Sequence, residues 1–250
     1  MLTYFFDNEY EIRAYECDVQ GRLHPLALFN FMQDMASRHA DMLGFSVQKL
    51  MKKNMTWVLS RIHLQILKTL YWGDVIKGRT WPSGRQGRYA LRDFRLTNDS
   101  GETVALATTS WMVLDLEKRV PLKLENLGNT DYFLQEERAL QDEFSSLPLA
   151  ESYEYEKSFR VRYSDLDINR HVNHVSYIDW GLEAVPDEVL LKSYPADIEV
   201  SYRKEVFYND RIISRCHRVD DEDSKTFIHQ LFIEGGEEIG RLCTSWRGVI

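Results

Sequence analysis

Asp167, Asn169 and His171 occupy alternate positions of one short segment, Asp167-Ile168-Asn169-Arg170-His171-Val172-Asn173, and Glu205 follows 34 residues after the histidine. A histidine and a carboxylate supply a base and its partner for general acid–base chemistry. The Asn169 amide can fix a water or a polar substrate group, and Asp167 can orient its neighbours or attack directly as a nucleophile. Backbone N–H groups of a helix beginning near Asn173 can hold a developing oxyanion, with the helix dipole assisting. Asp and Asn ahead of a helix also serve as turn and capping residues. All four reactive types in one place favour chemistry over that purely structural role.

The chain carries this segment twice and the reactive set once. Asp18-Val19-Gln20-Gly21-Arg22-Leu23 stands 149 residues upstream, and Thr109-Ser110-Trp111 precedes Thr244-Ser245-Trp246 by 135. Gln20, Arg22 and Thr69 stand where the second copy has Asn169, His171 and Glu205. Such a duplication implies division of labour: the second half keeps the chemistry and the first becomes a wall for the substrate. Asp18 matches Asp167, which assigns part of that carboxylate's work to structure.

The elements that position these residues also repeat. Leu28, Phe31, Met32, Met35 and Met42 have helical spacing between Leu26 and Leu43, with Pro25 in the first turn and Gly44 as a stop. Ile62, Leu64 and Ile66 alternate with His63, Gln65 and Leu67 as in a half-buried strand, and Ile198, Val200 and Tyr202 repeat that pattern 136 residues later. Trp72-Gly73-Asp74 and Tyr208-Asn209-Asp210 are matching turns, and two further long strands close each half. The order predicts an α+β architecture in which each half is one long helix wrapped by an antiparallel sheet. The halves fall at 1–115 and 152–250, joined by a polar linker over 116–151 with a short helix from Tyr132 to Phe144. The first half has extra residues after its helix, around Phe45 to Met55.

Composition narrows the classes. The 250 residues are 44% hydrophobic and 28% charged, an ordinary globular balance. A net charge of −8 argues against a nucleic-acid partner. The longest uncharged run, Thr103 to Leu114, is too short to span a bilayer as a helix, and the N-terminus lacks the pattern of a secretory signal. Cys17, Cys216 and Cys243 are too scattered for a disulfide frame or a zinc site and read as reduced thiols of a cytoplasmic protein. The histidines share no ligand spacing, so no metal and no cofactor is expected.

Ser164 through Asn173, continued by Tyr177, Ile178, Trp180, Leu182-Glu183 and Pro186, resembles the signature of the acyl-ACP thioesterases of fatty-acid synthesis, the plant enzymes included. Val200 through Glu205 resembles the strand that carries that family's catalytic glutamate. The resemblance covers most of the chain and implies a tandem (double) hot-dog fold. It also implies hydrolysis of fatty acyl-ACP to free fatty acid and holo-ACP, ending chain elongation, with acyl carrier protein as partner. Asp167, Asn169, His171 and Glu205 are then the catalytic residues. Some relatives carry Cys directly after the glutamate; Val206 stands there, so no thiol can act at that place.

Within this reading, Met32, Met35, Ala36 and Trp57 are core residues or the adaptable lining of an acyl tunnel. Lys77 to Arg95 is basic against a single acid, Asp93, which makes Arg79, Arg85, Arg88 and Arg92 candidates for docking the acidic carrier from an outer sheet face. Asp165 is expected as an exposed loop acid, His174 as a helix-start residue and Glu183 as a polar helix position. Three rivals remain open: an acyl-CoA thioesterase, an inert acyl- or carrier-binding module, and a hot-dog dehydratase pairing His171 with Glu183. Two hot-dog halves can pair within one chain, so a monomer or a homodimer is expected.

Overall fold

The fold, a computed structural model describing residues 4–128, 137–168, 171–219 and 225–248, separates into two units, Met1–Glu143 and Phe144–Ile250. The first unit contains β1 (Phe6–Glu11), α1 (Pro25–Met42), α2 (Val47–Met51), β2 (Met55–Ile66), β3 (Val75–Gln86), β4 (Tyr89–Asn98), β5 (Thr103–Asp115) and the short β6 (Pro121–Leu122). The second contains β7 (Tyr155–Arg160), α3 (His174–Leu182), α4 (Asp187–Lys192), β8 (Ser193–Tyr202), β9 (Arg211–Val219), β10 (Lys225–Ile233) and β11 (Glu238–Gly248). The strands run β1-β3-β4-β5-β2 in the first unit and β7-β9-β10-β11-β8 in the second, all antiparallel, with β6 paired to β5. Even the edge register repeats: Phe6 faces Thr80 as Tyr155 faces Cys216. Each unit is a hot-dog fold, one main helix wrapped by an antiparallel sheet.

Helix α1 opens with Pro25 in its first turn, while the His24 ring accepts from the Leu26 N–H at 3.4 Å. It ends before Gly44, whose φ of +86° is a conformation that a side chain disfavours. Its buried face presents Leu28, Met32, Met35 and Ala36. A Cβ on Gly78 of β3 would lie 2.6 Å from the Met35 sulfur, so the glycine is what lets this helix approach the sheet. The second unit reverses the device: Gly181 is on the helix, and a Cβ there would meet Leu242 of β11 at 2.7 Å. Helix α3 has 9 residues against 18 in α1. Pro186 disfavours helical geometry at Val185 and restarts the chain as α4.

The repeated Thr-Ser-Trp triplets do the same work in both units. The Trp111 indole donates to Thr109 Oγ1 and the Trp246 indole to Thr244 Oγ1, each at 2.9 Å. The first unit's extra residues form α2, and Phe45, Leu50 and Met55 cluster there with Leu43, Ala90, Val113, Leu124 and Leu127.

The helix expected over Tyr132 to Phe144 is absent from its described part. Residues 137–144 are irregular, and Tyr132 to Glu136 lie outside the described residues. The reason is Asp93, wholly buried on the sheet face opposite α1, whose carboxylate accepts from Ser83 and Thr108 and from Arg138 and the Ala139 N–H. The Trp81 indole donates to the Glu137 carbonyl at 2.8 Å. These bonds hold the connector flat on the sheet, where a helix would withdraw them. Among the described residues, no helix is long and apolar enough to cross a membrane.

Candidate active site

Two loops of the second unit bring the reactive residues together. The first follows β7 and opens with a turn at Tyr163–Asp165. Asp165 accepts from the Arg162 N–H at 2.7 Å and from its guanidinium, while the Asp165 carbonyl receives the Asn173 N–H at 2.8 Å. The Asp167 N–H then donates to the His171 carbonyl at 2.9 Å, closing the loop that carries the motif. The second loop runs from the end of β8 at Tyr202 to β9, and Glu205 is on it. Glu205 is therefore three residues beyond the strand on which the resemblance put it. The Val172 N–H donates to the Val206 carbonyl at 3.0 Å and ties the loops together.

The result is a His171 Nδ1 to Glu205 Oε1 separation of 4.0 Å, with the side chains 35% and 32% exposed. That is too long for a hydrogen bond and short enough for one water to bond both groups. The Phe207 ring stands edge-on to the imidazole at 5.3 Å between centroids. Asp167 is half-buried on the same loop; Asn169 lies outside the described residues. Helix α3 is capped by Asn173, whose side chain accepts the Val175 N–H at 3.1 Å while its carbonyl takes Ser176. The cap leaves the His174 N–H as the candidate oxyanion donor of that terminus.

Two residues have roles that the sequence reading did not assign. Tyr177 on α3 donates to the Lys204 carbonyl at 2.8 Å and so fixes the backbone beside Glu205. Burial, and then the Glu205 charge, push its phenol well up. The buried Asp165, expected to be exposed, is the brace under the motif loop. The spacing Arg162 to Asp165 repeats Arg13 to Glu16, where the Arg13 N–H donates to Glu16 Oε2 at 2.8 Å, and that repeat was the available signal.

The first unit keeps this frame without the reactive set. The Asp18 N–H meets the Arg22 carbonyl at 2.8 Å, and the Leu23 N–H meets the Leu70 carbonyl at 2.7 Å. Asp18 accepts from the Gln20 and Arg22 N–H groups and from Arg22 Nε at 2.6 Å. Arg22, at the His171 position, is 4% exposed and folded back onto its own loop.

Other expectations sort by environment. His174 begins α3 as expected, and burial brings its ring down to about 4, so it is neutral near pH 7. Glu183 points outward at the end of α3, 3.8 Å from Lys157, which removes the dehydratase pairing. Met32, Met35 and Ala36 share the buried face of α1. Trp57 packs instead on the α2 cluster, its indole donating to the Phe45 carbonyl at 2.9 Å. Val206 is fully buried. Burial raises Cys216 to about 12 and Cys243 to about 11, so neither thiol ionises near neutrality.

The basic stretch is corrected. Arg92 turns to the α1 side, where its guanidinium meets His39 Nδ1 at 3.1 Å and Thr80 Oγ1 at 3.2 Å, and burial lowers it to about 10. It is not on an outer docking face. Arg79 is paired with Asp7 at 2.7 Å and Arg85 with Glu125 at 3.1 Å, while Arg88 is exposed in the β3–β4 turn. Counting acids only within the stretch missed those that neighbouring segments bring to it.

Comparison with known proteins identifies the family. Residues 3–127 match the acyl-ACP thioesterase N-terminal domain and residues 150–248 the C-terminal domain. The chain is 27% identical to the oleoyl-acyl carrier protein thioesterase 1 of Arabidopsis thaliana, over 97% of this chain and 76% of that protein. It is 26% identical to the dodecanoyl-[acyl-carrier-protein] hydrolase of Cinnamomum camphora, over 97% and 67%. An acyl-ACP thioesterase structure from Bacteroides thetaiotaomicron superposes with a TM-score of 0.88 at 25% identity, over 98% of both chains. The 12:0-ACP thioesterase of Umbellularia californica shares the fold with a TM-score of 0.89, over 99% of this chain and 98% of that one. With both halves matched, this chain belongs to the acyl-ACP thioesterase family.

Proposed function

We propose that this protein hydrolyses the thioester of fatty acyl-ACP, releasing free fatty acid and holo-ACP and so ending chain elongation. The observation that carries the reading is the half-exposed His171–Glu205 pair at 4.0 Å in one unit, where the repeat in the other has an Arg22 neutralised by its own loop. Glu205 and His171 activate a water held between them. The water oxygen attacks the thioester carbonyl as its proton passes to the pair. The His174 N–H steadies the oxyanion, the carbon–sulfur bond breaks, and the thiolate recovers the proton. Asn169 fixes the water or the acyl carbonyl. Asp167 orients the loop, in the role Asp18 has in the first unit. The buried α1 face with Met32, Met35 and Ala36 lines the acyl chain.

A hydrolysis panel of acyl-ACP and acyl-CoA across chain lengths tests the reading, with acyl-ACP expected as the better substrate. His171→Ala and Glu205→Ala should each lower turnover by about 100-fold or more while the protein stays folded. Arg22→Ala should change it far less. No hydrolysis of any acyl-ACP, or an Arg22→Ala loss as large as that of His171→Ala, would overturn it.

A further inference from the structure

The loops that hold His171 and Glu205 carry an apolar rim that the chemistry does not use. Ile168 is 83% exposed, Tyr163 80%, Tyr208 52% and Phe207 48%. The rings are organised: Tyr163 stands edge-on to Tyr208 at 6.3 Å, and Phe207 edge-on to His171. Contiguous exposed apolar side chains around a reactive pair mark a surface that another molecule covers, and aromatic residues are its usual anchors.

Charge says which molecule. Arg160 and Arg211 are paired positions on β7 and β9, directly beside the rim, and the Val161 N–H to Asp210 carbonyl bond joins the two loops at that point. Both arginines are exposed; among the described residues the Arg211 side chain makes a loose contact with Glu234, at 3.6 Å. The first unit gives an internal comparison, because its rim is equally apolar: Val19 is 93% exposed and Trp72 69%. At the two places matching Arg160 and Arg211 it has Glu11 and Val75, again facing each other across the sheet. Glu11 is answered by Arg13 at 3.1 Å, so beside an otherwise common apolar rim the first unit carries a compensated charge where the second carries two arginines.

We propose that the acyl carrier docks on the second unit's loop face, with Tyr163, Ile168, Phe207 and Tyr208 seating its apolar surface and prosthetic arm and Arg160 and Arg211 meeting its acidic side chains. The inference rests on the acyl-ACP reading above and names its docking surface. An acidic carrier is drawn to the two arginines of this face and finds no such pair at the matching place of the first unit. It also delivers its arm directly beside His171.

The test compares acyl-ACP with an acyl thioester of a small thiol, at low and high salt. In Arg160→Glu/Arg211→Glu the KM for acyl-ACP should rise about 10-fold or more and lose most of its salt dependence, with kcat and small-thioester hydrolysis unchanged. Ile168→Asp should raise the same KM, whereas Val19→Asp, at the matching place in the first unit, should not. Thermal melts confirm folding. Unaltered KM in both second-unit variants, or equal losses on both substrates, overturns the docking surface and leaves the thioesterase reading intact. So does an effect produced instead by Arg85→Glu/Arg88→Glu, which places the carrier on the first sheet. A wild-type enzyme inactive on acyl-ACP overturns both.

Discussion

Acid should destabilise the second unit through His229, and the effect can be sized. The His229 ring is fully buried on β10; Nε2 meets Thr244 Oγ1 at 2.8 Å, and the Gly181 backbone lies against the ring. Burial brings its pKa down to about 3. In the unfolded chain the ring titrates near 6.5. A base whose folded pKa is depressed leaves stability intact above the unfolded pKa and withdraws it as pH falls below, because only the unfolded state takes the proton. From pH 6.5 to 5.0 that withdrawal is about 2 kcal/mol, at ~1.4 kcal/mol per pH unit, and it continues toward pH 3. Against a typical stability of about 5–15 kcal/mol this is a large fraction. His174, lowered to about 4 by burial at the start of α3, adds in the same direction. The measurement is urea unfolding followed by circular dichroism at pH 7.5 and 5.0, for wild type and His229→Leu. The variant is expected to be less stable at pH 7.5 and to lose about 2 kcal/mol less than wild type on acidification. Equal losses in the two proteins would refute the reasoning, because the titrating ring would then not be the buried one.

Asp93→Ala should cost about 3–5 kcal/mol in the first unit, read by thermal melts, because it strands Arg138 and the Ser83 and Thr108 hydroxyls around a vacated buried site. A cysteine-free variant, Cys17→Ser/Cys216→Ala/Cys243→Ala, should keep kcat/KM within a few-fold if folded, since burial holds Cys216 and Cys243 in the thiol form. Met35→Trp or Ala36→Phe should shift hydrolysis toward shorter acyl chains, the volume being taken from the buried face of α1; unchanged profiles in folded protein would move the tail elsewhere.

Much of the fold was legible because the repeat is one of register as well as composition. Offsets of 149 and 136 residues map β1 on β7 and β3 on β9, and the turns at Asp74 and Asp210 fulfil the same duty: Asp74 takes the Tyr71 N–H and Asp210 the Phe207 N–H, each at 2.9 Å. The pairing of His171 with Glu205 was legible from residue types, but its 4.0 Å distance depends on a loop that begins three residues after the strand. What composition did not reveal is direction. Strand alternation separates Arg92 from Asp93 onto opposite faces without saying which face α1 covers, so Arg92 was assigned outward when it turns inward to His39. Likewise the acids that neutralise Arg79 and Arg85, Asp7 and Glu125, are distant in sequence and adjacent only after folding. The described part of the connector is irregular for the same reason: a buried carboxylate on a strand 45 residues away claims its backbone and Arg138.

The duplication also bears on what Asp167 does. Asp18 sits in a loop of the same closure, with Arg22 and Thr69 at the places of His171 and Glu205, and its carboxylate is occupied by the amides of Gln20 and Arg22 and by the Arg22 guanidinium. A carboxylate in that place is therefore needed to hold the loop whether or not chemistry follows. When the residue at position 22 is arginine, the loop acid also neutralises it, and the side chain ends 5% exposed. When the matching residue is histidine, the side chain stands 35% exposed toward Glu205. This favours Asp167 as the orienting group and the His171–Glu205 pair as the one that moves the proton. One frame thus yields a sealed loop or a reactive one according to a few side chains set on it.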